Sequence, residues 1–320
     1  MTIRPSAAGA SAALAVVCLS LGGMALFHRS DTAFGPLARM LDSVAPHLFV
    51  ISFVFACLVV ACGQRRLGAF LAVVALGAIV ALYANLRTLQ TPTRQGDEPT
   101  IRILFYNLNA ANQDNSDRIL SAALDRDADV LVFTEAKAIS AHVGRLASDY
   151  SFVSPCAPDT CQILIATNLD VLRFWQLQLN PIWEDRYAVI ELVGPSGDPF
   201  FLTAVHLVKP WFSGVAEGEI GRLGAQYNWL EGPSVSLGDF NMAPWSLPMR
   251  SLMKDTGFRA VRGQPASWPV FAGRFGIPID QILMRDGPRV QRISTFGKGL
   301  GSNHLGFVAD VHLPDLPSGE

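Results

Sequence analysis

The chain has 320 residues, of which 50% are hydrophobic and 16% charged, and its formal net charge is −2. This composition excludes an intrinsically disordered protein, which has few apolar residues and a high net charge, and five cysteines are too few for a small disulfide-built scaffold. The charge is unevenly distributed. Residues 1–96 include seven basic and two acidic residues, and residues 97–320 include eighteen basic and twenty-five acidic residues. The acidic second part argues against a protein that holds a nucleic-acid backbone by bulk charge. We predict a membrane segment joined to a soluble domain.

Three long uncharged stretches near the N-terminus predict three transmembrane helices. They cover residues 6–27, 48–64 and 67–86, and about 20 apolar residues in a helix cross the hydrocarbon core of a bilayer. Arg4 before the first stretch also suits a cleavable signal peptide, and the three stretches together also suit a buried helical core. We favour a retained anchor over residues 1–87, because two further stretches follow the first and the charged residues stand between them.

The arginines between the stretches favour two opposite orientations in the membrane. Arg65 and Arg66 precede the third stretch, and short positive loops tend to stay in the cytoplasm. This places the N-terminus inside and everything after Leu86 outside. Arg29 and Arg39 in the first loop indicate the opposite. We predict a multi-pass protein of the plasma (inner) membrane whose soluble domain is periplasmic or extracellular.

Two cysteines in the soluble part bear on the same question. Cys156 and Cys161 are separated by four residues that include Pro and Asp, a spacing that suits a turn and a disulfide, which requires an oxidising compartment such as the periplasm. The alternatives are two unrelated thiols or half of a metal site, although no other cysteine of this part would complete a four-thiolate zinc site. Before them, the polar residues 88–100 predict a linker, and residues 101–320 the soluble domain.

The soluble domain alternates apolar runs with helical spacing and tight turns, which predicts an α/β domain with a mixed sheet. The predicted strands are 101–106, 129–133, 187–192, 200–205, 235–237, 279–283 and 307–311, and the predicted helices are 117–126 and 221–230.

Polar residues stand at the ends of these strands. They are Asn107, Asn109, Glu135, His206, Asp239, Asn241, Asp280 and His304. Each alone has an ordinary structural role, because Asn and Asp commonly make turns after strands and a single His beside a core is usually a core residue. Together they predict a cluster at one sheet edge, rich in the oxygen ligands that suit Mg²⁺ or Mn²⁺.

The order of these motifs resembles the endonuclease/exonuclease/phosphatase family, which has the fold of deoxyribonuclease I. The matching elements are Tyr106-Asn107-Leu108-Asn109, Thr134-Glu135, Arg186, Val205-His206-Leu207, Gly238-Asp239-Phe240-Asn241, Ser267-Trp268-Pro269, Ile279-Asp280-Gln281-Ile282-Leu283 and Ser302-Asn303-His304. The resemblance covers residues 101–313 and is closest to a membrane-anchored bacterial branch, which includes enzymes that act on undecaprenyl pyrophosphate and are linked to glycopeptide resistance. It implies a four-layer α/β sandwich with two central mixed sheets flanked by helices, preceded here by three transmembrane helices.

The resemblance also implies a set of residues that hold a metal ion and the phosphate. Glu135 would be the principal Mg²⁺ (or Mn²⁺) ligand with Asn107 close to it, and Asn109 takes a position that often holds a second acidic or amide group. Arg186 would add a charge-assisted contact to phosphate. Asn303 is a departure, because the family usually has Asp there and Asn brings no negative charge. Whether one metal ion or two are used is left open.

A second set carries the proton chemistry in this resemblance. Asp239 would orient or deprotonate the attacking water, and Asn241 would hydrogen-bond the phosphoryl oxygen or the nucleophile. His304, oriented by Asp280, would be a general base or a transition-state stabiliser. His206 would face the other side as a general acid or a donor to phosphate. These roles predict a metal-dependent hydrolase of phosphate esters or anhydrides.

The predicted substrate follows from the anchor and the charge. A tethered acidic domain meets lipid head groups, so we expect a lipid bilayer and a phosphorylated lipid as partners; no protein partner is inferable. Trp211 and Phe212, shortly after His206, either lie in the bilayer interface or pack in the core, and the same two possibilities hold for Trp245. We predict hydrolysis of a lipid-linked phosphate or pyrophosphate. The alternatives are an extracytoplasmic nuclease, which the acidic charge disfavours, and a non-catalytic protein that binds a phosphorylated ligand, which Asn303 favours.

Overall fold

The computed structural model describes residues 3–27, 34–94, 96 and 100–314. The chain divides into two compact units. The helical unit comprises the described part of Met1–Leu89 together with Pro210–Ser213 and Ala243–Ser251. The sandwich unit comprises the described part of Gln90–Lys209, Gly214–Met242 and Leu252–Glu320. Two short segments from the second half of the chain therefore group with the N-terminal helices, which the order of residues along the chain did not predict.

The helical unit contains four helices of its own: α1 (Ile3–Phe27), α2 (Gly35–Asp42), α3 (Ala45–Ala61) and α4 (Arg65–Thr88). Two of them, α1 and α4, are each long and apolar enough to cross a membrane. A third span exists only if α2 and α3, which meet at an angle of 76°, are counted as one. The prediction of three spans thus becomes two, or up to three. Arg29, which entered the orientation argument, lies outside the described residues.

Small residues allow the helices of this unit to approach closely. A Cβ atom added to Gly22 of α1 would lie 2.6 Å from the ring of Phe49 in α3, and one added to Gly68 of α4 would lie 2.6 Å from Val60. The hydroxyl of Ser52 in α3 donates a 2.8 Å hydrogen bond to the carbonyl of Ala15 in α1. Close packing at small residues and hydrogen bonds across helices are the contacts that hold apolar helices together in lipid.

The remaining elements are short strands and helices. The strands are β1 (Gln90–Thr91), β2 (Ile101–Asn107), β3 (Val130–Thr134), β4 (Phe152–Val153), β5 (Ile163–Thr167), β6 (Val171–Leu177), β7 (Tyr187–Val193), β8 (Pro199–His206), β9 (Ser234–Asp239), β10 (Arg259–Val261), β11 (Asp280–Arg285), β12 (Arg289–Phe296) and β13 (Gly306–His312), and the helices are α5 (Ser116–Leu124), α6 (Val143–Asp149), α7 (Val215–Trp229) and α8 (Leu247–Thr256). They form a seven-stranded sheet in the order β1-β10-β11-β9-β8-β7-β6 and a six-stranded sheet in the order β12-β13-β2-β3-β5-β4.

Both sheets are mixed, as predicted. The pairs β2/β3, β8/β9 and β1/β10 are parallel, and the other pairs within the sheets are antiparallel. Strand β2 explains the layering, because its residues alternate between two cores: Ile103 and Phe105 belong to the core that includes the other sheet, and Leu104 and Tyr106 to the core that includes α5. A strand covered on both faces is apolar at nearly every position, which is why residues 101–106 were recognisable from the sequence.

Several elements of the structure were not predicted from the sequence. Strands β4, β6 and β12 are edge strands, and β6 and β12 carry polar and partly exposed residues. Strands β5 and β10 lie inside the sheets, and helices α6 and α8 were also not predicted. Helix α7 begins at Val215, six residues before its predicted start. Part of the predicted linker is strand β1, which pairs in parallel with β10 through Gln90 and Ala260. Edge strands bury one face or none, so their hydrophobic pattern is weak.

Cys156 and Cys161 are joined by a disulfide, with their Cα atoms 4.8 Å apart. The turn between them is closed by the backbone amides of Thr160 and Cys161, which both donate to the carbonyl of Ala157 at 3.2 and 2.9 Å. The intervening residues thus form the turn that their Pro and Asp content suggests.

Candidate active site

The polar residues at the strand ends meet at one edge of the two sheets. Strand β2 ends at Asn107, β8 ends at His206 and β9 ends at Asp239, while Glu135 directly follows β3, Asp280 begins β11 and His304 precedes β13. Within the seven-stranded sheet, Asp239 is the register partner of both His206 and Asp280. The two sheets therefore deliver carboxylates, an amide and two imidazoles to one place, although these residues are spread over nearly 200 positions of the chain.

A glycine makes this arrangement possible at Asp239. Gly238 has φ = +155°, and a Cβ atom built on it would lie 1.9 Å from the carbonyl oxygen of Val205 on the neighbouring strand. Any larger residue would push β8 and β9 apart, and with them His206 and Asp239. The glycine of the Gly-Asp-Phe-Asn motif is thus required by the close approach of two parallel strands.

Three predicted site residues have left-handed backbone conformations. The φ angles of Asn109, Glu135 and Asn241 are 60°, 49° and 53°. Such a conformation costs about 1–3 kcal/mol for a residue other than glycine and is concentrated at functional sites. It is least expected for Glu135, because Asn and Asp adopt it more readily. The chain accepts this cost where it turns away from the strand ends.

The centre of the site is a contact between an amide and two carboxylates. Asn107 donates from Nδ2 to Asp239 Oδ2 at 2.9 Å and to Glu135 Oε1 at 3.4 Å. The other oxygen of Glu135 accepts a 2.8 Å hydrogen bond from the backbone amide of Ala110, and Asn107 Oδ1 accepts one from the amide of Asn109 at 3.0 Å. These bonds hold the two carboxylates close together despite their like charge.

His206 lies on one side of this centre. Its Nε2 is 3.8 Å from Glu135 Oε1 and 3.9 Å from Asp239 Oδ2, and its buried Nδ1 has no hydrogen-bond partner among the described residues. Burial lowers the pKa of His206 well below its ordinary value, and the positive charges of Arg186, His304 and Lys209 act in the same direction. The imidazole is therefore neutral at pH 7.

His304 lies on the other side, with its Nε2 4.0 Å from Asp239 Oδ2. Its Nδ1 is 2.8 Å from Asp280 Oδ2. Burial opposes the charged form, but the carboxylates of Asp280 and Asp239 and the bond to Asp280 prevail, and the pKa of His304 rises to about 9. Asp280 is in turn held by Ser267, whose hydroxyl oxygen accepts the backbone amides of Ile279 and Asp280 at 3.1 and 3.0 Å.

Asp239 lies between the two histidines. Burial and the nearby charge of Asp280 raise the pKa of Asp239 to about 7, against the opposing effects of His304 and of the Asn241 backbone amide. That amide donates to Asp239 Oδ1 at 2.8 Å. A carboxylate with this pKa is suited to accept a proton near neutral pH.

The donors of this cluster suit a hard divalent cation. Carboxylate oxygens of Glu135 and Asp239 contact the Asn107 amide nitrogen. Rotation of this amide by half a turn would present its oxygen to a cation instead. Carboxylate and amide oxygens are ligands that Mg²⁺ and Mn²⁺ accept. Asp239, Asp280 and His304 also have ligand atoms within 4.8 Å of one another. In that group, however, Asp280 and His304 already bond each other. Glu135 and Asn107 are therefore the residues that fit a metal ion best, with the Asp239 carboxylate beside them.

The remaining predicted residues lie around this centre. Asn109 and Asn303 are in contact at its rim, where Asn109 Nδ2 donates to Asn303 Oδ1 at 3.3 Å. Arg186 donates from Nε and Nη2 to the backbone carbonyls of His206 and Leu207 at 2.8 and 2.7 Å. Asn241 Nδ2 donates to the same Leu207 carbonyl at 2.8 Å. Arg186 and Asn241 thus hold the chain directly after β8, and their contacts with phosphate stay predictions.

Three positioning residues were not assigned a role from the sequence. Ser267, described above, and Ser302 both stand inside recognised motifs, and the Ser302 hydroxyl donates to the carbonyl of Asn107 at 2.8 Å and accepts the amide of His304 at 3.1 Å. Glu219 of α7 is fully buried and accepts the amide of Val208 at 2.6 Å. Burial lowers the pKa of Arg186, and the negative charge of Glu219 opposes this effect. The two serines were recognisable by their place in the motifs, whereas nothing in the local sequence marked Glu219.

Comparison with known proteins agrees with this geometry. The sequence pattern of the Endonuclease/Exonuclease/phosphatase family matches residues 104–304, a range that contains every residue of the cluster. A search of curated protein sequences finds no match.

Solved structures share the fold at low sequence identity. One is D. rerio TDP2 complexed with a single-strand DNA product, with 15% identity, a TM-score of 0.55, and coverage of 67% of this chain and 100% of the other. Another is an endonuclease/exonuclease/phosphatase from Beutenbergia cavernae, with 17% identity, a TM-score of 0.53, and coverage of 69% and 74%. A third is the human nocturnin catalytic domain with bound sulfate, with 14% identity, a TM-score of 0.51, and coverage of 69% and 96%.

Proposed function

The chain belongs to the endonuclease/exonuclease/phosphatase family, whose members are hydrolases of phosphate esters, and from this premise we propose that it is a membrane-anchored, metal-dependent phosphohydrolase of a lipid-linked phosphate or pyrophosphate. The observation that carries the proposal is the convergence of Asn107, Glu135, His206, Asp239 and His304 in one cluster, in a chain that also carries helices apolar enough to cross a membrane. Cleavage of a phosphate ester depends mainly on positioning and charge neutralisation, and the cluster offers groups for both.

Asp239 is the proposed acceptor of the proton from the attacking water. Its Oδ1 is held by the Asn241 amide, which leaves Oδ2 toward Asn107 and the two histidines. As the water oxygen bonds to phosphorus, its proton passes to Asp239, the bond from phosphorus to the leaving oxygen breaks, and that oxygen keeps the electron pair. For a pyrophosphate the leaving group is itself a stable phosphate anion, so it departs without needing a proton.

The two histidines are proposed to act in different charge states. His304, with its raised pKa, is protonated at pH 7 and would stabilise negative charge on the phosphoryl oxygens, which is the second of the two roles predicted for it. His206, with its lowered pKa, is neutral and would donate a hydrogen bond from Nε2 to phosphate. A carboxylate behind a histidine fixes its tautomer and stabilises the imidazolium, and Asp280 is in that position behind His304.

A divalent cation, when bound, neutralises phosphate oxygens and so favours attack by water. Glu135 and Asn107 are the residues proposed to hold it, and Asp239 beside them keeps its role as proton acceptor. Arg186, close behind this group, is proposed to add positive charge. Metal titration of the purified protein counts the ions that it binds.

The lipid substrate is supported by the helical unit and by exposed aromatic residues. Trp211 and Phe212 are 48% and 39% exposed, which favours the interfacial role of this pair over core packing, and both belong to the helical unit. Trp245 is instead half-buried, packs with the apolar helix residues and donates from its indole nitrogen to the Ser43 carbonyl at 3.0 Å. Large aromatic side chains at a membrane–water boundary anchor proteins in the headgroup region.

The proposed location is the plasma membrane, with the sandwich unit on its outer side. The Cys156–Cys161 disulfide supports this orientation, because disulfides persist in oxidising compartments. Alkaline phosphatase fused to the C-terminus should be active in cells, because it would be exported with the sandwich unit. A green fluorescent protein fused at the same place and exported by the Sec pathway should not fluoresce. The reverse pair of results would place the sandwich unit in the cytoplasm.

A nuclease is the second candidate, because a structure of this fold holds a DNA product. The excess of acidic over basic residues after position 96 argues against binding of a polyanion. Incubation of the purified chain with plasmid and with single-stranded DNA, with and without Mg²⁺, separates the two functions. We expect intact DNA under conditions where the lipid phosphate is hydrolysed.

The central experiment is phosphate release from undecaprenyl pyrophosphate by the full chain in detergent micelles with Mg²⁺ or Mn²⁺. We expect turnover that EDTA removes, and Asp239→Asn should lower it by about 10²–10⁴-fold because the proton acceptor is lost. Asp255→Asn is the matched control, since Asp255 is an exposed residue of α8. No release from this or any other phosphate-bearing lipid, in a protein that binds Mg²⁺ and is folded, would refute the proposed function and favour a non-catalytic phospho-ligand-binding protein.

A further inference from the structure

The helical unit contains a cleft that the proposed chemistry does not use. It lies among α1, α3 and α4, has a volume of about 400 Å³, and is lined by apolar residues that include Gly23, Phe49 and Ala78. Two polar side chains, Asn85 and Arg250, also line it. All of these residues belong to the helical unit. The cleft is in the size range of ligand pockets, which run from about 300 to 1,000 Å³.

Two adjacent glycines show how the cleft arises. A Cβ atom on Gly22 would meet the ring of Phe49 at 2.6 Å, whereas a Cβ atom on Gly23 would meet nothing within 4 Å. Gly22 thus brings α1 close to α3, and Gly23 leaves open space beside that contact. Ala78 and Ala81 of α4 also line the space, and side chains this small do not fill it.

Arg250 makes the cleft different from the apolar helix surfaces around it. Its Nη2 donates to the carbonyl of Leu26 at 3.1 Å, and its Nη1 donates to Asn85 Oδ1 at 3.4 Å. Leu26 and Asn85 lie near the C-terminal ends of α1 and α4, so the guanidinium is at one end of the cleft. Both partners are neutral oxygens, and a guanidinium has five N–H donors. The negative charge of Asp42 acts on Arg250, but the Arg250 side chain is only partly buried, so donors beyond these two bonds are accessible to an anion.

We propose that this cleft holds the hydrocarbon chain of the phosphate-bearing lipid that the enzyme hydrolyses, with Arg250 attracting the anionic head. The inference rests on the proposed function for its choice of lipid. Charge complementarity carries it: an apolar space ending in one cation matches a molecule with a long apolar chain and a phosphate, and guanidinium is the side chain best suited to phosphate. Arg250 also follows the Gly-Asp-Phe-Asn motif in the chain, in the segment Ala243–Ser251.

A purely structural role for Arg250 competes with this proposal. Arg250 binds the last turn of α1, as basic residues at helix C-termini often do, and that contact alone would account for its position. The cleft would then be filled by any bilayer lipid, because hydrocarbon chains gain little by moving from the bilayer to an apolar protein surface. A test must therefore separate a specific chain from bulk lipid.

The first test fills the cleft and measures chain-length dependence. In the full chain reconstituted in phosphatidylcholine nanodiscs, Gly23→Leu should raise KM for undecaprenyl pyrophosphate roughly tenfold, a scale typical of a lost apolar fit. It should leave kcat/KM for isopentenyl pyrophosphate within about twofold, since a five-carbon chain leaves most of the cleft empty. Gly9→Leu is the control, because Gly9 is on the same helix, also faces open space and does not line the cleft. Equal KM values for the two leucine variants on the long substrate would overturn the proposal.

The second test measures binding without turnover. Undecaprenyl monophosphate and phosphatidylcholine, each with a diazirine near the chain end, are photolysed with the full chain, and labelled peptides are identified. We expect the phosphate lipid to label α1 and α4 several-fold more, with the excess lost in Gly23→Leu, reduced in Arg250→Gln and kept in Arg250→Lys. Equal labelling by both lipids would overturn the proposal. Selective labelling without hydrolysis of any lipid phosphate would overturn the proposed function and leave the cleft as an anionic-lipid site.

Discussion

The two sides of the active site contain the same residue type in opposite electrostatic states. His206 and His304 are 5% and 6% exposed, and each has its Nε2 about equally far from Asp239, at 3.9 and 4.0 Å. Yet the pKa of His206 is lowered well below its ordinary value, whereas that of His304 is raised to about 9. Burial is shared, so it does not account for the difference.

The difference comes from what lies behind each ring. Asp280 accepts the Nδ1–H of His304 at 2.8 Å, whereas Nδ1 of His206 has no hydrogen-bond partner among the described residues and the positive charge of Arg186 acts to lower the pKa of His206. A carboxylate behind an imidazole favours its charged form and a guanidinium disfavours it. The comparison teaches that the second partner of each histidine, rather than the shared pocket, divides their roles.

The largest expected effect is the loss of either ring, and the pH profile tells the two apart. His304→Gln and His206→Gln should each lower kcat/KM for the lipid phosphate by about 10²–10⁴-fold. In the wild type and in His206→Gln, kcat/KM should fall as pH rises through about 9, because His304 then loses its proton. This fall should be absent from His304→Gln.

The control for these variants is His142→Gln, which changes a half-buried histidine that pairs with Ser116 instead. It should keep wild-type rates and the wild-type pH profile. A profile in which His206→Gln, rather than His304→Gln, loses the fall above pH 9 would reverse the assignment of the two sides.

A smaller effect is expected on stability, through the pair of Asp280 and His304. The pKa of His304 is higher in the folded state (about 9) than its ordinary 6.5, so folding is stabilised in full below pH 6.5 and this contribution is lost as pH rises through 9. The loss is on the order of 3 kcal/mol. Thermal unfolding of EDTA-treated protein between pH 6 and 10 measures it.

Asp280→Asn should flatten this dependence, because the uncharged amide no longer favours the imidazolium. Asp255→Asn, at the surface of α8, should keep the wild-type curve. If Asp280→Asn lost stability between pH 7 and 10 as steeply as the wild type does, the pair would not be the source of the pH dependence.

The smallest expected effect is at the rim, where Asn303 replaces the acid that is usual in the family. Asn303→Asp adds one exposed negative charge next to Asn109. In water, one negative charge gains about 2 kcal/mol from a divalent cation about 4 Å away, so Mg²⁺ should bind roughly thirtyfold more tightly. Calorimetric titration measures this, with Asn228→Asp on the exposed face of α7 as the control. Mg²⁺ binding that is no tighter in Asn303→Asp than in the control would place the ion away from this rim.

Much of the fold was predictable because its central strands are buried on both faces. Strands β2 and β3 are almost entirely buried, so their runs are mostly apolar and end visibly at polar residues. Strand β5 is equally buried but was not predicted. The edge strands β6 and β12 carry no such signal. The α2–α3 bend was also not predictable, because a break in an apolar run says that a helix ends but not at what angle the next one begins.

The candidate site was predictable in its membership and much less so in its contacts. The residues stood at strand ends in a recognisable order, including Asp280 and His304, which the structure brings to 2.8 Å. The hydrogen bonds from Arg186 to the carbonyls of His206 and Leu207 could not be predicted from the sequence, because they depend on which strands are neighbours. Ser302 and Glu219 bond backbone groups of residues far away in sequence or in another element, and local patterns carry no information about such partners.

The sequence by itself determined which segments are apolar enough to be spans or central strands and which polar residues terminate them, because hydropathy and periodicity are properties of neighbouring residues. The tertiary structure alone decided which strand ends meet, which carboxylate faces which histidine, and that 210–213 and 243–251 join the helical unit. Charge states followed from those decisions, since a pKa depends on the burial of a group and on the charges within a few ångströms of it, and such neighbours come from anywhere in the chain.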